Sequence, residues 1–134
     1  MLDTSTVILL GRIGDPATLP DEAVISAVTL AELSVGPHVS QTHDERAARQ
    51  AHLQQAESDF DVLPFDAASA RAFGAVAASL RASGRKPAAR AYDALIAASA
   101  IAYGLPLYTC NPADFDAIPQ LDLSPVPHPD RATP

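Results

Sequence analysis

The chain has little cysteine and no long apolar run, and each shortage excludes a class of protein. Cys110 is the only cysteine in 134 residues, so no internal disulfide can form, and no cysteines and histidines share zinc-finger spacing. No apolar run reaches the roughly 20 residues that span a bilayer, and the first residues lack the pattern of a secretion signal. We therefore expect a soluble, cytoplasmic protein with no membrane partner.

Basic residues are also scarce: 9 stand against 16 acidic ones, for a net charge of −7. This sign argues against avid binding of nucleic acid through a broad basic face. It does not exclude a nuclease whose acids surround a metal ion, because the ion inverts the local field. One stretch without Asp or Glu holds Arg81, Arg85, Lys86 and Arg90. It is either a solvated helix end and loop or a patch that steers phosphates.

The length and the 48% hydrophobic content are enough for one core, so we expect one domain. Short strand-like runs alternate with helical ones, which predicts an α/β sandwich around a parallel sheet. The strand candidates are residues 1–3, 23–26, 62–65 and 107–109, and the clearest helical patterns are 30–35, 44–58, 67–80 and 89–103. After Leu123 the chain is rich in proline, and we expect fraying there.

Four acidic residues fall where an α/β sheet places its ligands. They are Asp3 at the end of the first strand, Glu32 in the helix after the second, Asp93 in an apolar helix, and Asp114 after the last strand. Ligands of open α/β sheets bind at the carboxyl ends of the strands. Glu32 and Asp93 have mostly apolar neighbours, where a charge without a partner is costly.

Carboxylates brought together repel one another and raise each other's pKa unless a cation offsets their charge. Mg²⁺ prefers such oxygen ligands and completes its shell with waters and substrate phosphate. It can lower the pKa of a bound water for attack on a phosphodiester. The acid set therefore predicts metal-assisted hydrolysis.

Simpler interpretations exist for single residues. Asp3 could be only a helix cap, Asp93 only an acid that complements a helix dipole, and Asp114 only part of a turn. Together these interpretations leave Glu32 unexplained. We expect Cys110 to be a small buried hydrophobe, since no histidine partner is apparent.

Three parts of the chain resemble a PIN domain of the VapC type. They are residues 2–5 (LDTS), residues 25–33 (ISAVTLAEL), and a long run from 93–98 (DALIAA) through 104–109 (GLPLYT) to 111–115 (NPADF). Their order and separations are also similar to the family's, and the likeness covers most of residues 1–126. We assign this range to the domain and expect the Pro-rich tail, 127–134, to be disordered.

The resemblance implies a PIN-like three-layer sandwich, with a five-stranded parallel sheet flanked by helices and an acidic site at one edge. It assigns the first three acids of the family to Asp3, Glu32 and Asp93. The position two residues after Thr109 is Asn111, where many relatives carry Asp, so Asp114 takes the fourth role.

The resemblance also assigns roles to uncharged residues. Asn111 becomes a neutral ligand or a substrate contact. Ser5 and Thr109 resemble the hydroxyl residues that line such sites and orient a metal-bound water.

The implied activity is that of a Mg²⁺-dependent endoribonuclease, with Mn²⁺ as a substitute, acting as the toxin of a toxin–antitoxin pair. The implied partners are an RNA substrate (tRNA, rRNA or mRNA), a cognate antitoxin over a hydrophobic groove, and a second copy in a homodimer. The alternative is a non-catalytic PIN-like module that binds a protein. A haloacid-dehalogenase-type site is disfavoured because Ser5 stands where a second Asp is needed, and Gly-rich phosphate loops are absent.

Overall fold

The computed structural model describes residues 1–131, and in that range it contains five α-helices and four short strands. The helices are α1 (Thr4–Leu9), α2 (Ala27–Val35), α3 (His43–Asp59), α4 (Ala67–Ala82) and α5 (Ala91–Ala102). The strands are β1 (Val24–Ser26), β2 (Asp61–Leu63), β3 (Leu107–Thr109) and β4 (Leu123–Pro125). Short 3-10 helices span Leu10–Arg12, Pro16–Thr18, Gly36–Val39, Pro87–Arg90 and Pro112–Asp114. Over the described part of the chain, no helix has both the length and the apolarity to cross a membrane.

The strand pairing is parallel, and Leu2 joins two pairs into one sheet. β1 pairs with β2, with Ile25 opposite Val62, and β3 pairs with β4, with Tyr108 opposite Ser124. Leu2 forms parallel bridges to both Ile25 and Tyr108 and so lies between the pairs. The order is β2–β1–Leu2–β3–β4. The prediction of five strands is therefore wrong by one, because the first strand is reduced to a single bridging residue.

The first strand is this short because α1 begins directly after it. Asp3 is the N-cap of α1, and its Oδ1 accepts a hydrogen bond from the N–H of Thr6 at 2.9 Å, which turns the chain out of the sheet. Backbone hydrogen bonds still hold this segment on both sides, from Leu2 N–H to Val24 O (3.0 Å) and from Asp3 N–H to Tyr108 O (3.1 Å). The Asp3 carboxylate is thereby fixed at the carboxyl edge, in the middle of the sheet.

Hydrophobic clusters cover both faces of the sheet. Met1 and Val24 belong to the cluster formed with α4 and α5, whereas the adjacent Leu2 and Ile25 belong to the cluster formed with α1, α2 and α3. Successive side chains of a strand point to opposite faces, so the two clusters lie on opposite sides. This arrangement confirms the predicted α/β sandwich.

The start of α2 and the start of α5 differ from the sequence expectation. α2 begins at Ala27, three residues before the predicted pattern 30–35, because Ser26 caps it and accepts a hydrogen bond from Val28 N–H at 3.0 Å. α5 begins at Ala91, after the 3-10 turn Pro87–Arg90. Asp93 therefore lies in the first turn of α5 and not in its interior.

The expected fraying after Leu123 is wrong for the residues that follow it directly. Leu123–Pro125 forms β4, and Val126 is 3% exposed and donates its N–H to Thr109 O at 2.8 Å. Proline is tolerated in β4 because this strand lies at the edge of the sheet. In the tail 127–134, residues 132–134 lie outside the described residues, and its disorder stays a prediction.

Candidate active site

The Asp3 carboxylate is buried, at 3% exposure, and is surrounded by hydroxyl groups. Thr6 Oγ1 donates to Oδ1 at 2.6 Å and Thr109 Oγ1 donates to Oδ2 at 2.6 Å. Ser5 Oγ lies 3.1 and 3.0 Å from the two oxygens. Ser5 and Thr109, the hydroxyl residues that the resemblance singled out, thus both contact the Asp3 carboxylate. Thr6 contacts it as well.

Backbone donors orient two of these hydroxyls. Cys110 N–H donates to Thr6 Oγ1 at 3.1 Å, and Asn111 N–H donates to Thr109 Oγ1 at 2.9 Å. Each hydroxyl accepts from the backbone, so its own hydrogen is directed at Asp3. Thr6 was not among the predicted site residues. The signal for it is its place three residues after a helix-capping Asp, since the cap side chain accepts from the backbone N–H of this position.

Glu32 lies on α2 and is held by the adjacent α1. Thr4 Oγ1 donates to Glu32 Oε1 at 2.7 Å, and Thr29 Oγ1 lies 3.1 Å from the same Thr4 hydroxyl. Burial raises the pKa of Glu32, the Thr4 hydrogen bond lowers it, and the negative charge of Asp3 raises it. The net effect is a raised pKa, and the charge of Asp3 contributes to it.

Asp93 is the acid whose ionisation is most strongly disfavoured. Its pKa is raised to about 6, first by burial and then by the negative charges of Asp114, Glu32 and Asp3, while Arg90 lowers it. No single neighbour explains this value. Asp93 therefore lies close enough to the other three predicted acids to be affected by their charges.

Asp114 and Arg90 form the outer side of this region. Arg90 Nη1 lies 2.7 Å from Asp114 Oδ1 and 3.8 Å from Asp93 Oδ2. Arg90 therefore places a positive charge between two of the predicted site acids. The Asn111 side chain points to the tail, because its Oδ1 accepts from Arg131 Nη2 at 2.9 Å. Of the two candidates for the fourth position, Asp114 is the one coupled to Asp93.

The donor chemistry of the acids suits a hard divalent cation, because carboxylate oxygens are the ligands that Mg²⁺ prefers. Within residues 1–131, however, no three Asp, Glu, His or Cys side chains are arranged to hold a metal ion. Protein groups engage the acids: hydroxyls contact Asp3, Thr4 contacts Glu32, and Arg90 contacts Asp114. The residue types and the charge repulsion at Asp93 fit a divalent cation, and the residues that would hold it are Asp3, Glu32, Asp93 and Asp114.

An open cleft of about 710 Å³ lies beside these acids. Glu32, Arg90 and Asp93 line it, together with Ala91 and Tyr92 from the start of α5.

The PIN domain family model matches residues 1–121 of this chain. The chain belongs to the PIN-domain family.

Relatives of this PIN domain carry VapC names. Ribonuclease VapC5 of Mycobacterium tuberculosis is 40% identical over 120 residues, covering 88% of this chain and 86% of the relative. Ribonuclease VapC of Rickettsia bellii is 32% identical over 130 residues, covering 95% and 96%. The crystal structure of VapBC-5 from M. tuberculosis, a member of the VapBC toxin–antitoxin systems, aligns with a TM-score of 0.77 and 36% identity, covering 93% of this chain and 96% of that one. The predicted VapC-type PIN domain is thus confirmed.

Proposed function

We propose that this PIN domain is a Mg²⁺-dependent endoribonuclease that hydrolyses phosphodiester bonds in RNA and acts as the toxin of a VapBC-type pair. The observation that carries the proposal is the placement of Asp93 beside Asp114, Glu32 and Asp3, where burial first and then the negative charges of these three acids raise its pKa to about 6. The names of the relatives, Ribonuclease VapC5 and Ribonuclease VapC, support the same activity.

In this proposal Asp3, Glu32, Asp93 and Asp114 hold Mg²⁺, and Mn²⁺ can replace it. When bound, the ion supplies an activated water and stabilises charge that develops on the phosphate. Asp93 must lose its proton to take part, and a nearby cation favours that loss.

The other residues of the site position these acids. Thr6 and Thr109 hold the Asp3 carboxylate through short hydrogen bonds, and Thr4 directs Glu32. Ser5 and Thr109 also orient water in this proposal. Asp114 fills the fourth position and Asn111 contacts substrate. Cleavage should therefore fall more in Asp114→Asn than in Asn111→Ala, and the reverse order would exchange the two roles.

The proposed partners are a cognate antitoxin, an RNA substrate (tRNA, rRNA or mRNA) and a second copy in a homodimer, in the cytoplasm. A groove of about 430 Å³ on the α1–α2 side supports the antitoxin, since apolar side chains line it and stay exposed: Ile8 at 55%, Val35 at 53% and Val39 at 61%. The structure of VapBC-5, named for a toxin–antitoxin system, supports a protein partner of this kind.

A second candidate function is a non-catalytic PIN-like module that binds a protein. It is favoured by the finding that, among the residues described here, no three acids are arranged to hold a metal ion. It predicts partner binding without RNA cleavage.

Cleavage of total RNA by the purified chain separates the two functions. We expect cleavage with Mg²⁺ or Mn²⁺, none in excess EDTA, and recovery when the metal is restored. We also expect that expression alone arrests bacterial growth and that co-expression of the cognate antitoxin restores it. Full cleavage in EDTA would exclude the metal, and binding of a protein partner without cleavage under any of these conditions would favour the binding module.

A further inference from the structure

Tyr92 is an exposed aromatic residue at the mouth of the acid cleft. It precedes Asp93 in the first turn of α5, is 59% exposed, and lines the cleft of about 710 Å³ with Glu32 and Arg90. Large aromatic rings beside a nucleic-acid site stack on unpaired bases, because every base presents a flat apolar face. The ring of Tyr92 is therefore placed to receive a base next to the acids.

A basic groove of about 460 Å³ adjoins the other side of Arg90. Arg85, Lys86 and Asp114 line it. Arg90 lines both this groove and the cleft of Tyr92, so the two openings meet at this residue. A polymer can thus run from Tyr92 past the acids to Lys86.

The cations of this groove differ in how far they are already engaged. Arg85 Nη2 pairs with Asp116 at 2.6 Å, and Arg90 pairs with Asp114 at 2.7 Å. Lys86 is exposed and makes no ion pair among residues 1–131. Among these three cations, Lys86 can therefore pair with a phosphate without first breaking an ion pair with a carboxylate.

We propose that Tyr92 and Lys86 are substrate-binding residues at this edge, with an unpaired base of the RNA stacked on the Tyr92 ring and a neighbouring phosphate on Lys86. The proposal rests on the proposed ribonuclease function and deepens it by naming two residues that hold the RNA. In a duplex the bases are stacked on one another and cannot reach the ring, whereas loops and bulges present them. Stacking at Tyr92 and phosphate contact at Lys86 lie on the two sides of Arg90, so the strand crosses Asp93 and Asp114.

The chain has no tryptophan, so Tyr92→Trp creates one fluorescent reporter at the cleft. We expect a short single-stranded RNA of mixed sequence, added in EDTA so that it is not cleaved, to quench this fluorescence. The same RNA annealed to its complement should quench it far less. The matched control is Tyr103→Trp, since Tyr103 follows the other end of α5 and its hydroxyl donates to Pro64 O. Equal quenching by single strand and duplex, or equal quenching at both positions, overturns the proposal.

Cleavage kinetics test the same contact in the natural chain. Loss of one stacked base should raise KM in Tyr92→Ala by roughly fivefold or more, with little change in kcat, while Tyr92→Phe stays close to wild type. An unchanged KM in Tyr92→Ala contradicts base stacking.

Lys86 is tested by the salt dependence of RNA binding in EDTA. Each phosphate contact contributes about 0.7 to the slope of log affinity against log salt for a single strand, so Lys86→Gln should flatten the slope by about that amount. The control is Arg81→Gln, since Arg81 lies in the same basic stretch but is absent from the residues lining the groove. Equal slopes for wild type and Lys86→Gln exclude the phosphate contact.

These binding measurements need no catalysis. RNA quenching of Tyr92→Trp without any cleavage by the wild type would refute the ribonuclease and retain the single-strand site. Cleavage by the wild type with no quenching in Tyr92→Trp would refute base stacking at Tyr92 and retain the ribonuclease.

Discussion

Asp3 and Asp93 are two acids of the proposed site, but the chain surrounds them in opposite ways. Asp3 is 3% exposed, and hydroxyls of Ser5, Thr6 and Thr109 lie against its carboxylate. Asp93 is about one-third exposed, and its charged neighbours include three acids and one cation, Arg90. The difference shows that hydrogen bonds within the fold already stabilise the Asp3 carboxylate. The charge of Asp93 lacks such donors in this comparison and is instead offset by a proton or by a cation.

The largest expected effect is the loss of activity in Asp93→Asn, which removes one negative charge with little change in shape. We expect kcat to fall by about a hundredfold or more, because charge stabilisation at a reacting centre contributes at least this much. Initial rates of RNA cleavage in Mg²⁺ measure it. The matched control is Asp21→Asn, which changes an exposed acid outside the site. Cleavage by Asp93→Asn at the wild-type rate would remove Asp93 from the site.

The next effect is on stability, and it should have opposite signs at Asp3 and Asp93. In Asp3→Asn the amide NH₂ replaces one of the two carboxylate oxygens and faces the hydroxyl hydrogen that either Thr6 or Thr109 directs at that oxygen, which should lower the free energy of unfolding by about 2–3 kcal/mol. Asp93→Asn should be neutral or stabilising in EDTA, because it removes mutual repulsion. Urea unfolding of both variants measures this difference. Destabilisation of equal size at the two positions would show that the surroundings of Asp3 and Asp93 do not differ in their effect on stability.

A smaller effect is the pH dependence of stability in EDTA. The pKa of Asp93 rises from 3.8 to about 6 on folding, so the folded protein binds this proton more tightly than the unfolded chain does. Its contribution is therefore greatest below pH 3.8, declines as pH rises towards 6, and is constant above that. We expect a decline of about 1–2 kcal/mol, reduced from the full shift because the side chain is partly exposed.

Urea unfolding at a series of pH values detects this decline. Subtraction of the Asp93→Asn profile isolates the contribution of Asp93, since the other acids titrate in both proteins. Identical profiles would show that Asp93 ionises without a penalty.

The smallest effect is expected at Arg90. Its charge lowers the pKa of Asp93, so Arg90→Gln should raise that pKa further, and loss of an exposed pair with Asp114 should change stability by only about 0–1 kcal/mol. Carboxyl ¹³C NMR of Asp93 in EDTA measures the shift, and Arg81→Gln is the control. An unchanged or lowered pKa of Asp93 would contradict the effect of the Arg90 charge on this acid.

Some features could be predicted because neighbouring residues encode them. Asp66 directly precedes the helical pattern 67–80, where a capping residue stands, and its Oδ1 accepts from Ser69 N–H at 2.9 Å. Cys110 was expected to be buried and is 2% exposed. The order of strands and helices, and the resemblance to PIN domains, likewise follow from short segments of sequence.

Other features depended on residues that are distant along the chain. Thr109 reaches Asp3 across 106 positions, and β4 forms because Leu123–Pro125 finds a parallel partner in β3. The acids could be found in the sequence. Which acid would accept hydrogen bonds from hydroxyls could not be predicted, because a donor such as Thr109 reaches its acid only when the elements pack.

The amino-acid sequence alone determined the α/β class, the family, and the four acids that we propose as the site, because periodicity, capping and motif spacing are local properties. Only the tertiary structure decided that the first strand shrinks to Leu2, that Arg90 lies between Asp93 and Asp114, and that Tyr92 opens onto the cleft. The physical reason is that hydrogen bonds, ion pairs and clefts between distant residues arise when elements pack, and a local pattern does not specify them.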